Sequence, residues 1–288
     1  MPMRPSVSFS EMKGFRDGCK HRWNLDYLQN FRYDPRFKIF GIYLDFGTCI
    51  HSAIELYKTR KDPCTLEQAQ EKFETDFRAM FSENHGKYKG REAAIPVDDF
   101  VNAGRRILEH LSGCDELWKA EVVYNEHELK LPIERTDGLE IQFKGYIDMV
   151  IKTVDKRGKP ILYVIDFKTC SWGWPREKKE DQTLHAQLFL YKHFLCKKWN
   201  LEPTQVRVAF VLLKRSPRKG DIAVDFFPVS AGPVSVQRAI DNMNSDISLM
   251  KELVESNKLD PDYTKCVDSF GGVCQYAGNE LCPGSKKP

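Results

Sequence analysis

The apolar and polar positions of the chain change period once, near residue 121, and that change divides it. Before it the apolar positions follow helical spacing. Met12, Phe15, Trp23, Tyr27 and Leu28 recur roughly every three to four residues behind Ser10, which reads as an N-cap. Residues 45–60 form a second helical pattern, with Ile50, Ile54 and Tyr57 on one side and His51 and Glu55 four apart on a common face. Residues 65–84 and 98–117 also read as helices, separated by a lysine- and glycine-containing loop near 86–91. From 121 onward the pattern alternates, over 121–132, 139–153 and 160–169, which predicts three antiparallel strands turned by Asp137-Gly138 and Arg157-Gly158. A long helix follows over 181–200, with Leu184, Leu188, Tyr191, Leu195 and Trp199 along one stripe, then strands over 205–213 and 221–228 and a helix over 233–257. Past Lys258 the chain is rich in glycine, cysteine and turns and has no period. Helices, a meander, a helical crossover and a further strand predict an α/β fold with an N-terminal helical elaboration.

Composition adds bounds. The chain has 288 residues, 41% hydrophobic and 30% charged, which suits a globular protein with a substantial core. A net charge of +3 is close to neutral for this length, so any nucleic-acid surface must come from local clustering. No apolar run of about 18 residues occurs, and the first residues lack the apolar stretch of a signal peptide, which predicts a cytoplasmic protein with no membrane partner. Nine cysteines, an odd number in such a chain, argue against a disulfide framework. Cys49, Cys64, Cys114, Cys170 and Cys196 are scattered and read as small buried side chains.

The chemistry concentrates in two strands. Asp148 interrupts the apolar run Tyr146 to Ile151, and Asp166 interrupts Leu162 to Phe167. A carboxylate inside an apolar strand is costly unless it is paired or bound to metal. Lys168 shares a strand face with Asp166, because side chains alternate. Two acids and a lysine at neighbouring strand ends suit a hard divalent cation and hydrolysis of a phosphodiester. His51 is the best third ligand, with Gly47 allowing close approach of the helix start. Glu55 would hold either a metal-bound water or a second cation.

These positions occur as an ordered set: Gly47-x3-His51-x3-Glu55, Gly145-x2-Asp148, Asp166-x-Lys168 and Gln187-x3-Tyr191. The set resembles the PD-(D/E)XK nucleases, in particular the RecB-like branch that includes AddB-type, CRISPR-associated and phage exonucleases. The resemblance spans almost the whole chain. It implies a nuclease core, a central mixed β-sheet flanked by helices, over residues 121–257. Residues 1–120 would form a helical region and 258–288 a cysteine-rich clasp, all in one integrated domain. It further implies Mg²⁺ or Mn²⁺ held by His51, Asp148, Asp166 and the main-chain carbonyl of Phe167, with Lys168 positioning the attacking water. Gln187 and Tyr191 would lie beside the site and contact the DNA strand, unless Tyr191 only packs in its apolar stripe.

Cys19 lies in Asp17-Gly-Cys-Lys-His-Arg-Trp23, and Cys266, Cys274 and Cys282 are separated by seven and seven intervening residues, with Gly271, Gly272 and Gly278 between them. One remote and three clustered cysteines resemble the clasp that ties the chain ends around a [4Fe-4S] cluster in the AddB-like and CRISPR-associated branch. The common C-x2-C-x5-C spacing is absent, and structural Zn²⁺ bound by the same four thiolates is the alternative.

Trp172, Trp174, Arg176, Lys178 and Lys179 follow Lys168 directly; aromatics interleaved with cations suit unpaired bases and phosphates, and a solvated basic loop with one buried tryptophan is the alternative. Lys214, Arg215, Arg218 and Lys219 read as an ordinary hairpin turn. The expected function is a metal-dependent DNA exonuclease or end-processing nuclease in recombination, repair or replication, acting on a single strand or duplex end, with recombination or replication proteins as partners. A CRISPR spacer-processing nuclease and a non-catalytic DNA-binding accessory subunit are the alternatives. No phosphate-binding Gly-x4-Gly-Lys-Ser/Thr motif is present to suggest a fused helicase.

Overall fold

A computed structural model describes residues 3–59, 62–88, 94–267 and 273–284. The backbone separates into two compact units. The larger comprises residues 40–129 and 146–236, the smaller residues 1–39, 130–145 and 237–288. Neither follows the expected boundaries at 120 and 257. The strands that begin the alternating pattern, β2 (Glu121–Pro132) and β3 (Gln142–Val154), each contribute residues to both units, so a boundary drawn where the period changes cannot separate them.

In the larger unit, β3 continues antiparallel into β4 (Pro160–Cys170), β4 pairs parallel with β5 (Val206–Lys214), and β5 pairs antiparallel with β6 (Val224–Val229); β2 pairs with β3. The mixed sheet that the resemblance implies is therefore formed. Its parallel pair requires a crossover, which runs through α7 (Arg176–Lys179) and α8 (Gln182–Trp199). Asp181 caps α8, its carboxylate accepting from the Thr183 and Leu184 amides. Rather than burying one stripe, α8 buries Leu188 to Lys192 and Phe194 to Cys196, as a helix enclosed on most sides does.

On another side stand α3 (Ile42–Tyr57), α4 (Leu66–Asn84), α5 (Val97–Leu111) and the short α6 (Asp115–Trp118). Residue 60 and residues 89–91 of the expected elements lie outside the described residues. Thr65 and Gln68 form a capping box at the start of α4. The helices meet through Phe46, Phe73, Phe77 and Phe100, whose rings lie 5.5–5.9 Å apart in stacked and edge-on pairs. Gly104 is what lets α5 approach α4, since a Cβ there would stand 2.0 Å from the Phe73 ring. Gly47 has no such duty. It lies inside α3, and a Cβ would meet Thr169 Oγ1 at an ordinary 3.9 Å. The expectation that Gly47 permits a close approach is corrected accordingly.

The smaller unit contains β1 (Ser6–Val7), parallel to the start of β3 at Gln142 and Phe143, α1 (Phe9–Asp17), α2 (Lys20–Trp23) and most of α9 (Pro233–Glu255). Helix α1 is capped by Ser8, whose hydroxyl accepts from the Glu11 amide; Ser10, the expected cap, lies inside the helix. Asp26 accepts from Gln275 (3.1 Å) and Tyr276 (2.7 Å). His21 sits between the carbonyls of Leu259 (3.1 Å) and Leu281 (2.9 Å). The two ends of the chain are thereby tied together. No helix among the described residues is long and apolar enough to cross a membrane.

Candidate active site

Asp148 and Asp166 face each other where the β3–β4 ladder ends. The last paired residues are Met149 and Ile165, and just beyond them the Phe167 amide donates to Asp148 Oδ2 at 2.6 Å. Opposed positions of an antiparallel pair share a face. Lys168, two residues past Asp166, returns to that face and brings Nζ to 2.7 Å from Asp166 Oδ2. Asp166 is 3% exposed and Asp148 is half-buried. Burial pushes both carboxyls up, each to about 6, while Lys168 pulls them down.

Helix α3 supplies the opposite wall. His51 Nδ1 lies 3.8 Å from Asp148 Oδ1, with its ring edge-on to Phe167 at 5.6 Å between centroids. Burial lowers the pKa of His51, which leaves a neutral imidazole with a free lone pair at pH 7. Glu55 follows one turn later, its carboxyl raised by burial and then by the charge of Glu126. Glu126, in β2, escaped the sequence reading. Its charge also raises Asp148 and His51, and the only sequence signal was its place in a strand beside the one carrying Asp148.

A relay stands behind the lysine. Lys168 Nζ donates to Gln187 Oε1 (3.2 Å), and Gln187 Nε2 donates to the Tyr191 hydroxyl (3.0 Å). Tyr191 is 5% exposed, so the hydroxyl serves this relay while the ring packs in the core of α8. One turn of helix separates Gln187 from Tyr191 and puts both on the side facing β4.

The donor set fits a hard divalent cation. Two carboxylates crowd one ammonium, Asp166 Oδ2 accepts no properly directed hydrogen bond, and a neutral imidazole stands alongside. A cation there would remove the cost that burial imposes on the acids. Among the described residues no three His, Cys, Asp or Glu side chains already stand as a closed ligand set, which holds for these acids and for the cysteines.

The loop after Lys168 divides into an exposed and a buried tryptophan. Trp172 is 71% exposed, whereas Trp174 is 7% exposed and packs edge-on to Phe210 at 5.0 Å. Of the two readings of this loop, the one with a single buried tryptophan matches, because Trp174 fills the space over β5 and leaves Trp172 as the accessible ring. Lys178 lies over the Trp174 ring and Lys179 over Phe227, while Arg176 pairs with Glu180 at 2.7 Å. Arg215 is held over Tyr43 and Phe100, in keeping with a structural hairpin.

The four candidate cluster cysteines all belong to the smaller unit, and none of the nine cysteines forms a disulfide. Cys19 Sγ accepts from the Asp262 amide (3.2 Å), the Cys274 amide donates to the Cys266 carbonyl (2.8 Å), and Cys274 and Cys282 pack with Leu25, Phe37 and Tyr276. The backbone gathers the segments, but among the described residues no three of these cysteines stand as a metal-ligand set, so the expected cluster is not supported. Gly271 and Gly272 lie outside the described residues.

A comparison with curated proteins returns no match to the chain. A family model described as the PD-(D/E)XK nuclease superfamily matches residues 6–282. That span contains the acids, the lysine and the histidine set out above, and the chain belongs to the PD-(D/E)XK nuclease superfamily.

Proposed function

We propose that the protein is a metal-dependent deoxyribonuclease that trims DNA ends in recombination, repair or replication. The observation that carries this reading is the convergence of Asp148, Asp166 and Lys168 at one ladder end, with Lys168 held by Gln187 and Tyr191. An inactive DNA-binding relative has no need of two acids whose shared burial costs folding energy.

His51, Asp148, Asp166 and the Phe167 carbonyl would hold Mg²⁺ or Mn²⁺. When bound, the cation polarises the phosphate and makes water acidic enough to attack near neutral pH. Lys168 lies beside Asp166, where its ammonium orients the attacking oxygen and meets the charge that grows on the phosphoryl group. Gln187 and Tyr191 keep that ammonium from swinging away. The water oxygen bonds to phosphorus, the bond to the 3′ oxygen breaks, and that oxygen takes a proton, leaving a 5′-phosphate and a 3′-hydroxyl. Trp172 offers a face for an unpaired base, and Lys178 and Lys179 neutralise phosphates. The four cysteines are proposed as a structural clasp for a [4Fe-4S] cluster or Zn²⁺. Absorbance near 400 nm after anaerobic purification identifies the cluster, and a colourless protein holding neither metal removes the clasp.

The test is degradation of end-labelled single- and double-stranded DNA with Mg²⁺ or Mn²⁺. Wild type is expected to shorten the label progressively, with Asp166→Ala and Lys168→Ala each slowed about 100-fold or more. Undiminished cleavage by both variants overturns the reading.

A further inference from the structure

Lys214 carries a charge that the fold encloses without a counter-ion. It closes β5 and is 9% exposed. A buried ammonium is costly unless it is paired, and the other buried lysine, Lys192, donates to the Ala231 carbonyl at 3.0 Å. Among the described residues the Lys214 ammonium has no acid within ion-pairing reach and makes no hydrogen bond, yet it is not one of the atoms sealed from solvent. Its stem is covered and its tip is open.

The register places that tip beside the acids. Asp166 lies opposite Phe210, Lys168 opposite Leu212 and Cys170 opposite Lys214. Side chains alternate along each strand, so Lys214 stands on the face that carries Asp166 and Lys168, ~7 Å further along than the latter. Lys168 lies over the Phe210 ring (5.9 Å) and Lys178 over Trp174 (4.9 Å), and the two rings pack at 5.0 Å. Gly173 carries the loop across Lys214. Its φ of 127° suits glycine, and a Cβ there would stand 3.8 Å from Lys214 Cδ. Of these three lysines, Lys168 alone is ion-paired among the described residues, with Asp166. The enclosed charge of Lys214 therefore calls for an anion from outside the chain. An extended DNA strand whose scissile phosphate sits at Asp166 and Lys168 presents its next phosphate about one such step away.

We propose that Lys214 is a phosphate-binding residue for the substrate strand, its ammonium receiving, with that of Lys178, the phosphodiester next to the one being cut. This rests on the nuclease reading above. It separates Lys214 from the rest of its hairpin, where Arg215 is held over Tyr43 and Phe100.

Fluorescence anisotropy of a labelled single-stranded oligonucleotide on the full chain, with divalent cation withheld so that nothing is cut, reads binding alone. Lys214→Met keeps the buried stem and removes the charge. It is expected to bind about 10-fold more weakly, and to flatten the dependence of log K on log salt by about 0.7, the share of one phosphate on a single strand. A second arm changes the DNA instead of the protein. With Mg²⁺ or Mn²⁺, a neutral methylphosphonate at the linkage next to the scissile one is expected to slow wild type about 10-fold. Lys214→Met, already slowed on the native strand, loses less than about twofold more on it, because the two changes remove the same contact. Binding by Lys214→Met within about twofold of wild type, with an unchanged salt slope, overturns the proposal. So does wild-type cleavage that ignores the methylphosphonate, a result that needs no variant to fold. If Lys214→Met loses binding as expected while cleavage survives Asp166→Ala, the phosphate site stands and the nuclease reading fails; if Asp166→Ala abolishes cleavage while Lys214→Met binds as wild type, only the role of Lys214 fails.

Discussion

Asp166 shows how one residue couples stability to chemistry. Its carboxyl is raised to about 6 by burial, against about 4 in an unfolded chain. The folded state therefore holds a proton that the unfolded state releases between those values. Below about pH 4 both states are protonated and the residue costs nothing; as pH rises through 6 the folded state must carry a buried charge, and stability falls. Asp166→Asn is thus expected to raise the thermal midpoint of the protein without added cation at pH 7.5, by an amount corresponding to on the order of 1–3 kcal/mol. The gain should shrink toward zero as pH drops to 4, and scanning calorimetry across that range checks it. A variant that lowers the midpoint at pH 7.5 would show that Lys168 already compensates the acid. Asp148, Asp166 and Lys168 were legible in the sequence because acids inside apolar strands are anomalous. Glu126 was not, because in an alternating strand a glutamate on the solvent side is ordinary and only its positive φ marks it.

Among the elements, α4 and α5 depend on a single absent methyl group. In an exposed helix, Gly→Ala is a gain of about 1 kcal/mol. At Gly104 the added Cβ would overlap the Phe73 ring, and overpacking of this kind costs about 1–3 kcal/mol. Gly104→Ala is therefore expected to lower the urea midpoint, and pairing it with Phe73→Leu should recover part of the loss. An unchanged midpoint would mean that the helices separate freely. The period of the sequence located these helices and the strands to within a few residues, though it read α5 and α6 as one helix, since an amphipathic face must repeat at the pitch of its element. It misplaced details that depend on neighbours. The cap of α1 moved from Ser10 to Ser8, and the single stripe read on α8 became a helix buried on most sides, because a core can cover polar positions such as His185 and Lys192 as well as apolar ones.

At the scale of the whole chain, the smaller unit joins residues 1–39 to residues 237–288 through side chains that no local pattern reveals. Tyr276 is buried at 1% exposure, packs on Phe37 at 5.1 Å and donates to Asp26. Tyr276→Ala removes all three interactions, a loss of about 3–5 kcal/mol for a buried aromatic. Hydrogen exchange is expected to show faster amide exchange over residues 19–37, 259–267 and 273–284, with β4 and β5 of the larger unit still protected; uniform loss of protection would mean that the chain opens as one cooperative body. The sequence by itself determined the order and type of the longer elements and the acids and lysine of the site, while the mixed sheet was an implication of the family resemblance. The elements and the site follow from local period, and from the cost of placing charge in apolar strands. Only the tertiary structure decided which residues share a unit, that Trp174 lies buried while Trp172 stays open, and that Gln187 and Tyr191 stand in one hydrogen-bonded line behind the lysine. Each of these depends on contacts between segments far apart in the chain, and the local pattern of a segment carries no information about what will cover it.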